Sequence, residues 1–378
     1  MDFEFTDDQE SLRDAVRRWV DKGFGFERRH ALARAGGHTR AVWGELAELG
    51  LAGLVVPEAH GGMGFGPVEA MVVTEELGRG IVNAPYAAAA LMTPALLAEA
   101  PEAVQAEWLP AIASGEALVV PALHERASRH RWQRVGVRAT PSAQASGGWV
   151  LDGAKCVVPA GDEADAFIVS ARHAGADDAE AGLGLFLVRR ADARVVGYPT
   201  QDGARAADVH LAATPAVLLQ AEAHAMLARA VDVGSAAVCA EGVGLMDRLV
   251  AITVDYMNTR RQFGTTLASF QALRHRIADV KMQLELGRSM SSYATLKLGE
   301  APAQRQRAVA QARVQLGQSL RCVGQQCIQL HGGIGCTDEY VASHCFKRLT
   351  MLEMTLGDTL HHLGEVSARM QDTAGVFA

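Results

Sequence analysis

The sequence predicts an α+β protein, mostly helical, in which an N-terminal helical domain and a C-terminal antiparallel four-helix bundle flank a small β-barrel-like domain. Three observations predict it. Helical periodicity with capping signals fills the first part of the 378 residues. Short valine-rich runs separated by Gly, Asp and Pro replace that pattern from about Ala117 to Leu211. After Pro215 the helical period returns and persists. The domains implied are 1–116, 117–215 and 216–378.

Thr6-Asp7-Asp8-Gln9 reads as a capping box: the threonine side chain satisfies a free helix amide and the glutamine reaches back. Leu12, Val16, Trp19 and Val20 then give one apolar stripe, and Val42, Leu46 and Leu49 a second that stops at Gly50. Pro67 suits the first turn of a helix carrying Val68, Met71 and Val72. The alanine-rich span Ala84 to Ala113 continues in helical style. The strand runs are Arg134 to Ala139, Trp149 to Leu151, Phe167 to Ser170, Leu183 to Val188 and Asp208 to Leu211. In the last domain, Leu245, Leu249, Ile252 and Tyr256 share one helix face, and Leu316, Leu320, Val323, Cys327 and Leu330 share another. Long helices with short links imply the bundle.

Composition narrows the function. With 49% hydrophobic and 21% charged residues, a net charge of −7 and a pI near 6.0, the chain offers no general basic surface for nucleic acid or acidic lipid. A local patch for a phosphorylated ligand remains compatible with these values. The six cysteines form no CxxC pair and no zinc-ligand spacing, so no metal is expected. The polar start Met1-Asp2-Phe3-Glu4 carries no secretory signal, and no apolar run reaches the roughly 20 residues that span a bilayer. The expected location is cytoplasmic.

Two glycine-rich blocks, Gly61-Gly62-Met63-Gly64-Phe65-Gly66 and His331-Gly332-Gly333-Ile334-Gly335, fall outside any βαβ unit, which a dinucleotide fingerprint requires. The first reads as a turn between helices; the second lets backbone amides approach a ligand or another chain closely. His331 lacks companion ligands at a suitable spacing and reads as a packing or hydrogen-bonding histidine. Arg260-Arg261-Gln262-Phe263-Gly264, then Ser269-Phe270-Gln271-Ala272, then Gln329 and the second glycine block lie at helix junctions, where they can converge on one anionic, planar ligand. Taken singly, Arg260 is a helix-end charge favoured by the macrodipole, Phe263 is core, and Gln271 and Gln329 are surface or capping amides; their shared register raises them above that.

These blocks, with Phe5 to Gln9, Val56 to Gly64 and Glu75-Glu76-Leu77-Gly78, resemble the acyl-CoA dehydrogenase family in order and spacing over nearly the whole chain. Tyr198-Pro199-Thr200-Gln201-Asp202-Gly203, Thr253-Val254-Asp255-Tyr256 and Phe346-Lys347-Arg348-Leu349-Thr350-Met351 look most similar to the small-subunit type of pimeloyl-CoA dehydrogenase. The resemblance implies FAD-dependent α,β-dehydrogenation of an acyl-CoA thioester within fatty acid metabolism, with electrons passed to an electron-transfer flavoprotein. It implies that Arg260 pairs with the FAD pyrophosphate, that Phe263 and Phe270 pack by the cofactor, that Gln271 helps bind the adenosine end, and that Gln329, Gly332 and Gly333 contact its phosphate and ribose. In the family these groups reach into a neighbouring subunit's site, which implies a dimer of dimers.

The departures are equally specific. The family's base is a glutamate in the segment here written Thr355-Leu356-Gly357-Asp358-Thr359, and Leu356 stands in its place; the alternative location falls near Gly234-Ser235, also without a carboxylate. Ala122 to Ser128 replaces the family's stretch along the flavin, and Val157-Val158-Pro159 replaces the one that shields the ring, so hydroxyl donors and a flat aromatic are missing. The economical expectation is one subunit of a heteromeric enzyme that supplies part of an FAD site. The alternatives are a self-sufficient homotetramer whose base has moved to Asp358 or Glu241, and a non-catalytic scaffold subunit. Asp358 doubles as a helix-end carboxylate, and Glu241 as the buried partner of an arginine.

Overall fold

A computed structural model describes residues 5–370; the start Met1 to Glu4, on which the absence of a secretory signal was argued, lies outside them. The helices are α1 (Asp7–Gly23), α2 (Phe26–Arg34), α3 (Arg40–Glu48), α4 (Pro67–Arg79), α5 (Thr93–Leu97) and α6 (Glu102–Ala113), then, after the strands, α7 (His224–Thr259), α8 (Gln271–Leu296), α9 (Pro302–His331), α10 (Val341–Met354) and α11 (Thr359–Ala368). The strands are β1 (Val119–Ala122), β2 (Arg138–Pro141), β3 (Gly148–Pro159), β4 (Ala166–Arg172), β5 (Leu183–Arg189), β6 (Arg194–Pro199) and β7 (Arg205–Gln220), with a two-residue pair, β8 (Arg261–Gln262) and β9 (Thr265–Thr266), after α7. Helical regions therefore flank a small barrel, as the periodicity predicts. The chain folds as two compact units.

One unit comprises residues 31–66 and 83–234. Strand β7 organises it: β3 pairs along one edge, from Gly148↔Val217 to Pro159↔Ala206, and β6 and then β5 take the other. Antiparallel β4 and β5 match over seven residues, β4 meets β1 in parallel and touches β2 at Arg138↔Arg172, and β2 pairs with β3. The circuit β2-β3-β7-β5-β4 closes on itself, which leaves few unpaired edges. β4 is buried along its whole length, so the two-residue alternation that marks a half-exposed strand is absent there. Pro215 lies inside β7, paired with Val150, and the helical period resumes at His224 instead. β1 and β6 are not among the strand runs read from the sequence; pairing defines them, β1 with β4 and β6 with β7.

The other unit comprises residues 1–30, 67–82 and 235–378. The capping box is formed: Thr6 Oγ1 accepts from the Gln9 amide at 3.3 Å and Gln9 Oε1 from the Thr6 amide at 3.1 Å. α9 is the spine, packing against α8, α10 and α11. Helices α4 and α7 approach closely through glycine on both sides. A Cβ on Gly244 would lie 1.8 Å from the Glu75 carbonyl oxygen, and one on Gly78 would lie 2.2 Å from that of Glu241.

Since both obstacles are backbone, neither helix relaxes cheaply. Gly244→Ala and Gly78→Ala are each expected to destabilise the fold by at least about 1–3 kcal/mol. Gly364→Ala, on α11 where the added methyl meets open space, gains helix propensity and holds or raises the thermal midpoint. Equal midpoints for all three variants in thermal unfolding would disprove the close crossing.

Candidate functional site

α7 delivers Arg260 to its own C-terminal end, where the Arg260 amide donates to Tyr256 O at 2.8 Å. The chain then reverses through the β8–β9 hairpin, whose turn residues Phe263 (φ 53°) and Gly264 (φ 80°) are both left-handed, as a two-residue hairpin turn needs. Phe263 is 90% exposed and sits edge-on to Phe270, their ring centres 6.3 Å apart. α9 delivers Gln329 and stops at Gly332, whose φ of 65° and ψ of −143° suit glycine alone. A Cβ on Gly332 or Gly333 would meet nothing within 4 Å, so that backbone faces open space.

Arg260, Gln329, Gly332 and Gly333 come together with Tyr256, Gln262, Arg276 and His331 around a cleft of about 610 Å³. Among the described residues neither Arg260 nor Arg276 makes an ion pair, so two guanidinium groups face the cleft uncompensated. Arg276 was not singled out from the sequence. The available signal was Arg274-His275-Arg276 in the first turns of α8, where the helix macrodipole disfavours cations. Phe263, Phe270 and Gln271 lie on the adjoining hairpin and helix start and do not line the cleft; the Gln271 side chain, at the first position of α8, is exposed.

Beneath the glycine turn, His331 lies between two tyrosines, with ring centres 4.7 Å from Tyr256 and 5.2 Å from Tyr340. Its Nδ1 faces the Cys327 carbonyl at 2.8 Å, which fixes the proton on that nitrogen. Burial pulls the His331 pKa below its ordinary value, against the opposing pull of the Cys327 carbonyl.

The base segment is held from within. Arg313 is buried, and its Nη2 donates to the carbonyls of Thr355 at 2.6 Å and Gly357 at 2.8 Å, while Nε faces His362 Nε2 at 3.3 Å. Leu356 sits at φ 56° and Gly357 at φ 115°, a left-handed pair that the arginine clamps in place. Asp358 caps α11, accepting from the His361 amide at 2.8 Å. Glu241 is buried and accepts from Arg348 at 2.6 Å. Both carboxylates are thus engaged by structural partners, and neither lines the cleft.

On the barrel unit, the 122–128 stretch and Val157, expected from the resemblance to lie along the flavin, are tied down. The buried Lys155 ammonium, on β3, donates to Glu125 Oε1 at 2.6 Å and Ser170 Oγ at 3.0 Å. Burial lowers the Lys155 pKa from its usual value and Glu125 opposes that shift. Glu125 also takes the amides of Gly136 at 2.8 Å and Val137 at 3.2 Å. Where β3 bulges against β7, Val157 adopts φ 53°, strained for a β-branched residue, and its amide is given to Tyr198 Oη at 3.2 Å.

One group of potential metal donors occurs among the described residues: His30, Asp338 and His344. Arg29 donates into His344 Nδ1, so the remaining proton sits on Nε2, which bonds the Asp338 carbonyl at 2.7 Å. With Lys347 also on Asp338, the cluster is a cation-rich tether for the loop before α10 and offers a metal little.

The known proteins most similar to this chain agree with its architecture. Family models described as acyl-CoA dehydrogenase, N-terminal domain and C-terminal domain match residues 6–116 and 224–371. Acyl-CoA dehydrogenase IpdE2 of Mycobacterium tuberculosis is 31% identical over 355 residues, covering 90% of this chain and 91% of that relative. The probable acyl-CoA dehydrogenase YngJ of Bacillus subtilis is 26% identical, covering 94% and 96%. Among solved structures, the Tcur3481-Tcur3483 steroid ACAD is similar with a TM-score of 0.86 and 29% identity, covering 97% of this chain and 99% of that one. No helix among the described residues is long and apolar enough to cross a membrane.

Two expectations follow from the buried groups. Arg348→Met strands the Glu241 carboxylate in the interior and should cost about 3 kcal/mol, measured by denaturant unfolding, with Glu241→Gln added in the same chain recovering much of the loss. Burial penalises the charged form of His331 and His344 and pulls both pKa values below the ordinary histidine range. The unfolded chain therefore binds more protons below about pH 6.5, so their contribution to stability is complete above that pH and shrinks as pH falls. A thermal midpoint that drops from pH 7.5 to 5.5, with a shallower drop in His331→Gln/His344→Gln, is the expected result.

Proposed function

We propose that this chain, which belongs to the acyl-CoA dehydrogenase family, is one subunit of a heteromeric FAD-dependent enzyme that dehydrogenates an acyl-CoA thioester between Cα and Cβ. The carrying observation is the contrast between a cleft left open for a nucleotide and a barrel whose flavin-side groups are committed elsewhere.

The phosphate and adenosine part of FAD fits the cleft. Arg260 and Arg276 supply unpaired guanidinium groups for a diphosphate, the bare backbone of Gly332 and Gly333 permits close approach, and Gln329 adds an amide. Phe263 and Gln271, exposed beside the cleft, fit contacts with the same ligand across a subunit boundary. The ring does not fit this chain's own barrel. Pro159 has no amide hydrogen, the Val157 amide is bonded to Tyr198, and Glu125 holds the 122–128 stretch inward. FAD, when bound, supplies the hydride acceptor for the substrate Cβ. This chain orients the phosphates, and the partner subunit supplies the flavin-facing barrel surface and the base that the Leu356 segment lacks. Electrons then leave to an electron-transfer flavoprotein.

Narrower readings concern the acyl group. The resemblance to the small subunit of pimeloyl-CoA dehydrogenase supports a dicarboxylic acyl chain, whereas the likeness to a steroid ACAD at 29% identity supports a ring-bearing one. Relative kcat/KM on pimeloyl-CoA and a steroid side-chain CoA thioester separates them.

Expected on purification is a colourless chain that becomes part of a yellow complex with its partner, from which Arg260→Ala removes most of the flavin absorbance. A yellow chain that oxidises acyl-CoA alone would instead establish the homotetramer with a relocated base. Unchanged flavin content in the Arg260→Ala complex would leave only the scaffold.

A further inference from the structure

Arg260 and Arg276 carry permanent charge into the cleft, and His331, which lines it too, can gain or lose a charge near neutral pH. The buried imidazole sits where either protonation state finds partners. Nδ1 keeps its proton on the Cys327 carbonyl at 2.8 Å. Nε2 meets the Tyr340 hydroxyl at 3.4 Å, a group that donates to the bare nitrogen and, with its own proton turned away, accepts from the protonated one. No heavy atom has to move when the ring becomes charged. Tyr256, its ring centre 4.7 Å away and tilted by only 31°, turns a face towards the imidazole, and Tyr340 flanks it at 5.2 Å. Aromatic faces favour a cation at such distances.

Burial is what opposes the charge in the empty cleft, and it pulls the His331 pKa below its ordinary value. The groups facing the imidazole are Tyr256 and Arg260 from α7, Arg276 from α8, Cys327 from its own helix and Tyr340 from the loop before α10. His275 lies exposed beside Arg276, while Asp255 and Cys345 act on Tyr340. No carboxylate lines the cleft, so the negative charge that would favour the imidazolium has to arrive with a ligand.

We infer that the cleft takes up a proton at His331 when a diphosphate binds, making this histidine a third cation of the site only while phosphates occupy it. The inference rests on the reading of the cleft as the seat of a nucleotide's phosphates. Each phosphate of an esterified diphosphate brings a negative charge into the cleft, and nearby negative charge favours the protonated ring. By reciprocity, a proton bound more readily in the complex than in the empty protein tightens the ligand. Affinity therefore rises as pH falls from the pKa of the occupied cleft towards the lower pKa of the empty one, and levels off beyond both. Bound phosphates likewise offset the loss of stability that His331 causes in the empty chain at acid pH.

Calorimetric titration with ADP-ribose, of the full chain alone and in its flavin-free complex, tests this. That diphosphate is esterified at both ends and lacks the terminal phosphate whose second proton leaves near pH 6. Titrations at pH 6.0 in two buffers of different ionisation enthalpy should report net proton uptake, and affinity at pH 5.5 should exceed that at pH 8.0 by about threefold or more. Both signals should vanish in His331→Phe, which keeps a ring between the tyrosines, shrink in Tyr340→Phe and persist in His275→Gln. The proton count on the unaltered chain decides the matter even where a variant fails to fold. Binding without proton uptake, proton release, or an uptake that survives His331→Phe or disappears in His275→Gln overturns the inference and leaves the phosphate cleft standing. Absence of ADP-ribose binding in both forms at every pH, or binding indifferent to Arg260→Ala, overturns both.

Discussion

One buried ammonium sets the character of the barrel. Lys155 is fully enclosed on β3, and a charge in that position persists only where a partner and hydrogen bonds replace the water it has lost. Glu125 is that partner, and it comes from the loop after β1, so neutralising the lysine draws the loop inward. The same carboxylate satisfies the amides that lead into β2. A single electrostatic requirement thereby fixes where β1 ends, how β2 begins and which face of the connecting loop meets solvent. The loop after β1 is thus used to satisfy a lysine, and Arg126, Arg129 and Arg131 are left exposed.

The helical unit solves a different problem, holding irregular backbone at the ends of long helices. Its glycine-to-backbone crossing brings α4 against α7 with no side chain between them, which makes α7 a rigid rod up to Arg260. Arg313 does comparable work inside: four carbonyls around one guanidinium nitrogen fasten the Thr355 to Gly357 segment without any carboxylate in hydrogen-bond contact. An arginine so used rigidifies the loop but brings no group able to take a proton.

Much of this was legible in the sequence, and the reason is local chemistry. The Thr6 capping box, the helix opening at Pro67, the stop at Gly50 and the turn at Gly61 are decided by two to four neighbouring residues, and each appears where its signal stands. Arg260, Gln329, Gly332 and Gly333 could be read as convergent because they sit at helix ends, where side chains and bare amides are free. Arg276 escaped notice because the basic run Arg274-His275-Arg276 does not say which of its members faces the cleft. β6 and the length of β7 escaped because pairing, not composition, extends them; Pro215 in the middle of β7 even carried the opposite signal. The engagement of Glu241 by Arg348 joins residues 107 apart in sequence, a distance at which spacing is silent.

The distribution of unspent charge gives the chemical sense of the molecule. Both carboxylates put forward as a relocated base are engaged, Glu241 by Arg348 and Asp358 by a helix amide, and Glu125 is likewise held by Lys155 and two peptide groups. Arg260 and Arg276 stand out among the cations without an ion pair in the described residues because both line one cleft. Uncommitted guanidinium groups that share a cleft are suited to pairing with phosphate oxygens. A cleft so arranged is suited to gripping phosphates.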